Sequence, residues 1–323
     1  MNNNVVGVDM GGTKILAAIV DEEGNILGTS KIRTNAKDGS SNVIDRIADC
    51  IQMVIQGTDV SRDSIQGVGI GAPGPLDPET GVVIVAPNLG WENVPLKSEL
   101  EERIDIPTYV DNDVNVGTLG EHTYGAGQGI KNIVGIFVGT GIGGGIIMNG
   151  ELFHGASKTA GEVGHIIVKE GGPKCGCGNR GCLEALASRT AMTKSFKKGI
   201  KKGKKSVVTK LTDGDLNSIR SGVLAKAVDA KDKLTKKILN RTTKYLGVGI
   251  GSIVNFLNPE MIILGGGVVE ALEDVFVDNI RTAANKYALP GTLDGVQIVK
   301  AHLGDNAGVL GAAALARQRI DWG

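Results

Sequence analysis

The chain has 323 residues, of which 49 are glycine, about 15% against a usual share of about 7%. Its 35 lysine and arginine residues balance 35 aspartate and glutamate residues, and 41% of the sequence is hydrophobic. These totals exclude a collagen-like chain, which needs glycine at every third position, and a wholly disordered chain, which needs low hydrophobicity or high net charge. A neutral chain has no general attraction to nucleic acid or to an anionic membrane, so we expect neither as a partner.

The length predicts about two domains, at roughly 150 residues each. The first residues, MNNNVVGVD, contain no basic segment followed by an apolar one, and no run of about 18 apolar residues occurs in the sequence. We therefore expect neither a signal peptide nor a transmembrane helix, and we expect a cytoplasmic location.

Two stretches of the sequence share one order of elements. Residues 5–26 and residues 133–152 each consist of an apolar strand, a turn of glycine and threonine, a second apolar strand, and a Glu-Gly or Asn-Gly turn. Such similarity, about 130 residues apart, predicts a duplicated α/β architecture with two related halves. The alternative is a coincidence between two ordinary β-hairpins.

Strands and helices are predicted to alternate along the rest of the chain. Residues 43–56 have the apolar spacing of a helix, with Ser41 or Asn42 as its N-cap. The other predicted elements are strands within 66–74, 106–113 and 261–267, and helices from about Val114, over about 223–257 and over 306–320. This alternation is typical of the α/β class.

Residues 194–210 contain eight lysines. Such a run forms either an anion-binding patch or a solvated helix end or mobile loop. The sequence by itself leaves both interpretations open.

Three glycine turns follow apolar strands, at residues 9–13, 139–145 and 265–267. Because glycine has no Cβ, backbone N–H groups can approach phosphate oxygens there, and Thr13 and Thr140 add hydroxyl donors. Asp9 ends the first strand, where a carboxylate could hold Mg²⁺ directly or through water. The pattern predicts a nucleotide site. It is neither a Walker A loop nor a dinucleotide fingerprint, because an apolar strand follows GTGIGG in place of a helix.

The acidic cluster Asp111-Asn112-Asp113 closes the apolar strand at 106–113. Carboxylates at the carboxyl end of a strand lie where α/β sheets bind ligands, and one of them could accept the proton of a hydroxyl that attacks a phosphate. Alternatively, Asn112 or Asp113 caps the following helix. The spacing alone favours neither interpretation.

Cys175, Cys177 and Cys182 lie close together in the sequence, and His165 is the nearest candidate for a fourth ligand. Cys₃His is a common closed set of zinc ligands, so we predict a structural zinc site and not a hydrolytic metal centre. Three free thiols are the alternative. Glu162 and Glu184 flank this segment, and a bound zinc ion could position both carboxylates for a ligand.

These motifs together resemble the ROK family of sugar kinases and repressors over nearly the whole chain. The segments that carry the resemblance are DMGGTK (9–14), GAPGPLD (71–77), PNLGW (87–91), DNDVN (111–115), GTGIGGGI (139–146), EVGHI (162–166) and CGCGNRGCLE (175–184). The family often has Glu and Ala where this chain has Asp111 and Val114. The resemblance implies a two-domain, actin-like (ribonuclease H-like, duplicated) α/β fold. Its small domain would comprise 1–116 and the C-terminal helix 305–323, and its large domain, 117–304, would contain the zinc loop.

The resemblance also implies roles for individual residues. Asp113 would be the catalytic base, which resolves the choice between Asp111 and Asp113. Sugar hydroxyls would be bound by Asn88, Asn112, Glu162, His165 and Glu184. Phosphate, Mg²⁺ or the nucleoside would be contacted by Asp9, Gly11, Gly12, Thr13, Lys14, Thr140, Gly141, Gly265, Gly266 and Gly267. Zinc would be held by Cys175, Cys177, Cys182 and one ring nitrogen of His165, whose other nitrogen would contact the sugar.

By this resemblance, we expect a homodimeric or homotetrameric enzyme that transfers a phosphoryl group from ATP-Mg²⁺ to the 6-hydroxyl of glucose. Fructose, mannose and N-acetylmannosamine are alternative substrates, and polyphosphate is an alternative donor that the lysines of 194–210 make worth testing. A sugar-responsive repressor of the same family is disfavoured, because the first phosphate motif begins at Asp9 and we expect no preceding helix-turn-helix domain. A plain sugar-binding protein would need neither Asp113 nor two phosphate loops.

Overall fold

The computed structural model describes residues 3–321, apart from the side chains of residues 273, 274 and 321. In chain order, the strands are β1 (Asn4–Met10), β2 (Lys14–Val20), β3 (Ile26–Arg33), β4 (Ile65–Ala72), β5 (Leu76–Asp77), β6 (Val82–Ala86), β7 (Trp91–Val94), β8 (Thr108–Asn112), β9 (Ile133–Val138), β10 (Ile142–Met148), β11 (Glu151–Leu152), β12 (Met261–Gly265) and β13 (Gln297–Lys300). The helices are α1 (Ser40–Gln56), α2 (Leu96–Ile104), α3 (Asp113–Tyr124), α4 (Leu183–Ala187), α5 (Arg189–Lys201), α6 (Val208–Leu211), α7 (Ser221–Asp229), α8 (Lys233–Leu257), α9 (Gly267–Ala284) and α10 (Ala307–Asp321). The outermost parts of the predicted domain ranges, 1–2 and 322–323, lie outside the described residues.

Two five-stranded sheets have the same topology. Their strand orders are β3-β2-β1-β4-β8 and β11-β10-β9-β12-β13, so in each sheet the strands follow the order third, second, first, fourth, fifth. The pairs β1–β4, β4–β8, β9–β12 and β12–β13 are parallel, whereas β1–β2, β2–β3 and β10–β11 are antiparallel. The duplication predicted from residues 5–26 and 133–152 is therefore confirmed. A short sheet, β5-β6-β7, lies between β4 and β8 along the chain.

Glycines bring helix α10 into direct contact with the first sheet. A Cβ added to Gly7 of β1 would lie 1.9 Å from the carbonyl oxygen of Val309, and one added to Gly69 of β4 would lie 1.7 Å from that of Ala312. Real side chains never approach backbone so closely, so glycine is required at both strand positions. Helix α10 can therefore pack on β1 and β4, and it also packs along α3.

The glycines of the long helix α8 have the same purpose. A Cβ on Gly247 would lie 2.5 Å from the Cβ of Ala283, and one on Gly251 would lie 2.9 Å from the backbone of Tyr287. Helices α8 and α9 therefore approach more closely than larger residues would allow. Gly247 and Gly251 therefore serve the close packing of α8 against its neighbours.

Two local predictions are wrong. The helix predicted over 223–257 is interrupted: α7 ends at Asp229, and α8 begins after Asp232, whose side chain caps it by accepting a hydrogen bond from Thr235 N at 2.7 Å. Neither Ser41 nor Asn42 caps α1, because the helix already begins at Ser40 with Gly39 as its N-cap.

The lysines of 194–210 lie on α5, the following loop and α6, and all eight are exposed.

Contacts within the chain define two compact units. The first comprises 1–131, 145–160 and 305–323, and the second comprises 132–144 and 161–304. The first division thus falls after residue 131, whereas the sequence predicted a domain boundary after residue 116. Helix α3 belongs to the first unit because it packs against α10. Within residues 3–321, no helix combines the length and the apolar composition that a membrane span requires.

Candidate active site

Three of the predicted site segments leave the first sheet at the carboxyl ends of neighbouring parallel strands. Asp9 of β1 is in register with Gly71 of β4, which is in register with Asp111 of β8. Since neighbouring strands are about 4.8 Å apart, the backbones of Asp9 and Asp111 are roughly 10 Å apart. The first glycine turn, the GAPG loop and the acidic cluster therefore share the sheet edge at which α/β folds bind ligands.

The first glycine turn lies against the predicted sugar ligand Asn88. The turn is closed by a hydrogen bond of 2.9 Å from Gly11 N to the carbonyl of Lys14, the first residue of β2. A Cβ on Gly12 would lie 3.1 Å from Nδ2 of Asn88. Thr13 and Asn88 also line one open depression of about 660 Å³. The structure thus brings the first phosphate motif and Asn88 together.

Asp9 is half-buried at the end of β1, where its charge is disfavoured. Burial raises the pKa of its carboxyl above 3.8; the charge of Lys14 lowers this pKa, and the carboxylate of Asp305 raises it. Space for the Asp9 side chain depends on Gly308, because a Cβ there would lie 2.9 Å from Cγ of Asp9. A cation bound to Asp9 would relieve the repulsion between the two carboxylates.

The three residues of the acidic cluster have different structural roles. Asn112 is the N-cap of α3, because its Oδ1 accepts hydrogen bonds from Val114 N at 2.9 Å and from Asn115 N at 3.3 Å. Its Nδ2 donates to the carbonyl of Gly74 at 3.3 Å, which ties the cluster to the GAPG loop. Asp113 is the first residue of α3 and is half-exposed at the sheet edge. The sequence left the identity of the cap open, and the structure assigns it to Asn112.

The third member of the cluster, Asp111, has a partner that the sequence analysis missed. Its carboxylate is 1% exposed, and Oδ2 lies 2.6 Å from Nε2 of His154. The other oxygen, Oδ1, accepts hydrogen bonds from Asn112 N at 2.7 Å and from Nδ2 of Asn115 at 2.9 Å. His154 is one of only four histidines. That scarcity is the only sequence signal for it, since its partner is 43 residues away.

The second and third glycine turns are neighbours in the second unit. They follow the parallel strands β9 and β12, in which Phe137 is in register with Gly265. Gly266 has a φ of 84°, and a Cβ on it would lie 2.8 Å from the backbone nitrogen of Val138, which precedes the second turn. Glycine at 266 therefore allows both the left-handed backbone and the close approach of the two turns.

Glu184, at the start of α4, connects the second glycine turn with the cysteine cluster. Its Oε2 accepts a hydrogen bond of 3.1 Å from Ile142 N, and its Oε1 lies 3.7 Å from Sγ of Cys175. A Cβ on Gly141 would lie 2.4 Å from the same Oε2. The absence of a side chain at residue 141 therefore makes room for this carboxylate.

The four predicted metal ligands are together in the second unit. The ligand atoms of His165, Cys175, Cys177 and Cys182 all lie within 4.8 Å of one another. The sulfurs of Cys177 and Cys182 are 3.7 Å apart, as are Sγ of Cys175 and Nδ1 of His165. A tetrahedral ion with bonds of about 2.3 Å would separate its ligands by about 3.8 Å. The donor set and its spacing therefore fit a tetrahedral metal ion.

The three thiols of this cluster differ in the direction of their pKa shifts, and the two ring nitrogens of His165 have different neighbours. Burial raises the pKa of Cys175, and it raises that of Cys182 to about 12 together with the neighbouring thiols. The backbone N–H of Asn179 lowers the pKa of the exposed Cys177. Nε2 of His165 faces away from the thiols and lies 3.8 Å from Oε2 of Glu162. Nδ1 is thus the nitrogen beside the thiols, and Nε2 is next to a predicted sugar ligand.

Comparisons with known proteins identify the family of this chain. The sequence pattern that describes the ROK family matches residues 5–319. The chain belongs to the ROK family. A glucokinase of Halalkalibacterium halodurans is 40% identical over 320 residues, which are 97% of this chain and 95% of the relative. The crystal structure of a ROK family glucokinase from Streptomyces griseus, in complex with glucose and AMPPNP, is 35% identical, with a TM-score of 0.86 over 98% of this chain and 99% of that chain.

The ROK family also contains repressors. The xylose repressor of Caldicellulosiruptor bescii is 30% identical over 312 residues, which are 97% of this chain and 77% of the repressor. Both glucokinases are therefore more similar to this ROK protein than that repressor is. Membership of the ROK family fixes the two-domain, actin-like α/β architecture, whereas the activity depends on the side chains of the site.

The structure brings together the predicted site residues of this ROK protein in one group for each unit. The group in the first unit consists of Asp9, Gly11, Gly12, Thr13, Lys14, Asn88, Asn112 and Asp113. The group in the second unit consists of Thr140, Gly141, Glu162, His165, Glu184, Gly265, Gly266, Gly267 and the three clustered cysteines. No predicted site residue lies apart from its group.

Proposed function

We infer that this protein phosphorylates glucose with ATP as the donor. The observation that carries this inference is the similarity, over nearly the full length of both chains, to a glucokinase with bound glucose and AMPPNP. The groups described above supply the necessary parts, namely a carboxylate at a sheet edge and glycine turns with adjacent hydroxyls. We propose glucose as the preferred hexose over fructose, mannose and N-acetylmannosamine.

We propose Asp113 as the general base that takes the proton of the sugar 6-hydroxyl as this oxygen attacks the γ-phosphate. Its place at the first turn of α3, with the backbone held by the Asn112 cap, supports this role. Backbone N–H groups of the glycine turns, with the hydroxyls of Thr13 and Thr140, would stabilise the charge of the transferring phosphoryl group. Asp9 would hold Mg²⁺, directly or through water, and the ion supplies charge neutralisation at the phosphates.

We propose that the sugar hydroxyls are bound by Asn88, Asn112, Glu162, His165 and Glu184. We propose further that Nδ1 of His165 and the three thiolates hold a structural zinc ion, which leaves Nε2 for the sugar; the distances within this cluster support the proposal. The cytoplasmic location and the homodimeric or homotetrameric state also stay proposals.

The test of the proposed function is a panel of initial rates. The hexoses would be glucose, fructose, mannose and N-acetylmannosamine, each with ATP-Mg²⁺ and with inorganic polyphosphate as the donor. We expect the highest kcat/KM for glucose with ATP, and formation of the 6-phosphate. If no hexose is phosphorylated with either donor, the proposed function is wrong.

A further inference from the structure

Arg189 is the first residue of α5 and is bonded directly to the second glycine turn. Its Nη2 donates a hydrogen bond of 2.6 Å to Oγ1 of Thr140, and its backbone N–H donates to the carbonyl of Gly139 at 3.0 Å. The hydroxyl of the next residue, Thr190, donates to the carbonyl of Thr140 at 2.7 Å. The guanidinium is therefore held beside the one hydroxyl of the turn that is proposed to contact phosphate.

A second arginine lies near the third glycine turn. Arg220 immediately precedes α7, and Oγ of the next residue, Ser221, would lie 3.3 Å from a Cβ on Gly267. Arg220 is close enough to Arg189 for the two charges to interact: burial lowers the pKa of the Arg189 guanidinium, and the charge of Arg220 lowers it further. Arg189 thus lies at the second glycine turn, and Arg220 lies near the third.

Arg189 is partly buried, whereas Arg220 is exposed. Among the described residues, no carboxylate forms an ion pair with Arg189 or with Arg220. A half-buried guanidinium beside a like charge is unfavourable unless an anion is bound. The planar fork of a guanidinium also matches the oxygens of a phosphate better than an ammonium does. The location of the two arginines and the absence of a carboxylate partner both indicate a phosphate ligand.

We propose that Arg189 and Arg220 bind the phosphate chain of the phosphoryl donor at the second and third glycine turns. This inference rests on the proposed kinase function and adds two residues to which no motif of the sequence gives a role. A chain of linked phosphates is common to ATP and to inorganic polyphosphate. The two arginines would bind the linked phosphates of either molecule. The experiment below distinguishes ATP from polyphosphate.

The experiment compares Arg189→Ala, Arg189→Lys and Arg220→Ala with the unmodified protein. We expect each alanine variant to raise the KM for ATP about tenfold or more, because a hydrogen-bonded charge pair is lost, while the KM for glucose changes little. The lysine variant should recover part of the loss. The matched control is Lys226→Ala, which removes one exposed charge from α7, outside residues 194–210 and about 9 Å beyond Arg220, and should change neither KM. Measuring KM for polyphosphate in parallel shows which donor uses the arginines.

Unchanged KM values for both donors in Arg189→Ala and Arg220→Ala would overturn the proposal. The proposal would also be overturned if only Arg189→Ala had an effect and this effect were a lower Tm and a lower kcat. Arg189 would then only hold α5 against the glycine turn. Calorimetric titration with ATP and with tripolyphosphate, in the absence of sugar, separates this test from the kinase assay. Even if no hexose is phosphorylated, weaker binding by both alanine variants would support the anion site, and equal binding would refute it.

Discussion

Nε2 of His154 lies 2.6 Å from Oδ2 of Asp111, a carboxylate that is 1% exposed and immediately precedes the Asn112–Asp113 pair. The same carboxylate accepts a hydrogen bond from the side chain of Asn115. One buried side chain therefore joins the end of β8, the first turn of α3 and the segment after β11. The position of the proposed base depends on all three.

Removal of the His154 imidazole should lower both stability and turnover. We expect His154→Ala to reduce the free energy of unfolding by about 1–3 kcal/mol, because the buried Oδ2 loses its partner. His154→Gln, which can still donate a hydrogen bond, should lose less. Denaturant unfolding and kcat of Asp111→Asn, of His154→Ala and of the double variant Asp111→Asn/His154→Ala would measure the coupling. Strictly additive losses would contradict a direct interaction.

Asp113→Asn should abolish most of the turnover and leave the fold intact. We expect kcat to fall about 10²-fold or more, because the amide cannot accept the hydroxyl proton. The Kd for glucose, measured by calorimetry, should stay within a few-fold of its original value. Asn112→Ala is the matched contrast: loss of the α3 cap should cost about 0.5–2 kcal/mol of stability. Near-normal kcat in Asp113→Asn would refute its role as the base.

The cysteine cluster predicts about one zinc ion per chain, measurable by elemental analysis. Cys177→Ser should lose most of this zinc and raise the KM for glucose about tenfold, because His165 would no longer be fixed. A chelator should have the same effect on the unmodified protein. Cys50→Ala, which changes a cysteine of α1 outside the cluster, should retain the metal. A metal-free preparation with full activity would show that zinc is not needed.

Asp9→Asn should make the ligand-free protein more stable and the enzyme less active. Because burial raises the folded-state pKa of Asp9 above its unfolded value of 3.8, the ionised carboxylate opposes folding at neutral pH. The penalty is fully present above the folded-state pKa and disappears as the pH falls towards 3.8. The gain in Tm should therefore be seen at pH 7 and be absent near pH 4, whereas kcat with Mg²⁺ should fall about 10²-fold. An unchanged or lower Tm at pH 7 would contradict this account.

Two glycines of the second turn should differ in their tolerance of a methyl group. Gly141→Ala would place its Cβ 2.4 Å from Oε2 of Glu184, so the carboxylate must move and lose its bond to Ile142 N. Because the flexible Glu184 side chain can swing aside, we expect only the loss of that hydrogen bond, about 0.5–1.5 kcal/mol in stability, and a higher KM for glucose. A Cβ on Gly139 meets no atom within 4 Å, so Gly139→Ala should keep the original Tm. Equal Tm values for the two variants would argue against this contact.

The agreement between sequence and structure is greatest where the signal is local. An apolar strand, a glycine turn and a second strand are specified within about 20 residues, so both hairpins and their duplication were predictable. The break between α7 and α8 was missed because the apolar spacing continues across Asp232, whereas α7 ends at Asp229 and the capping bond of the Asp232 side chain begins a new helix, α8. At α1, polar residues typical of caps were present, but the backbone began the helix earlier at Ser40.

The glycine excess shows where the sequence reaches its limit. By itself the sequence determined the α/β class, the three glycine turns, the Cys₃His set and the family, because these follow from composition and short spacings. Only the tertiary structure decided that Gly7 and Gly69 admit α10, that Asp111 pairs with His154, and that Arg189 bonds Thr140, 49 residues before it. Such contacts join segments that are distant in the chain. They are fixed by strand register and helix packing, which no local pattern of residues encodes.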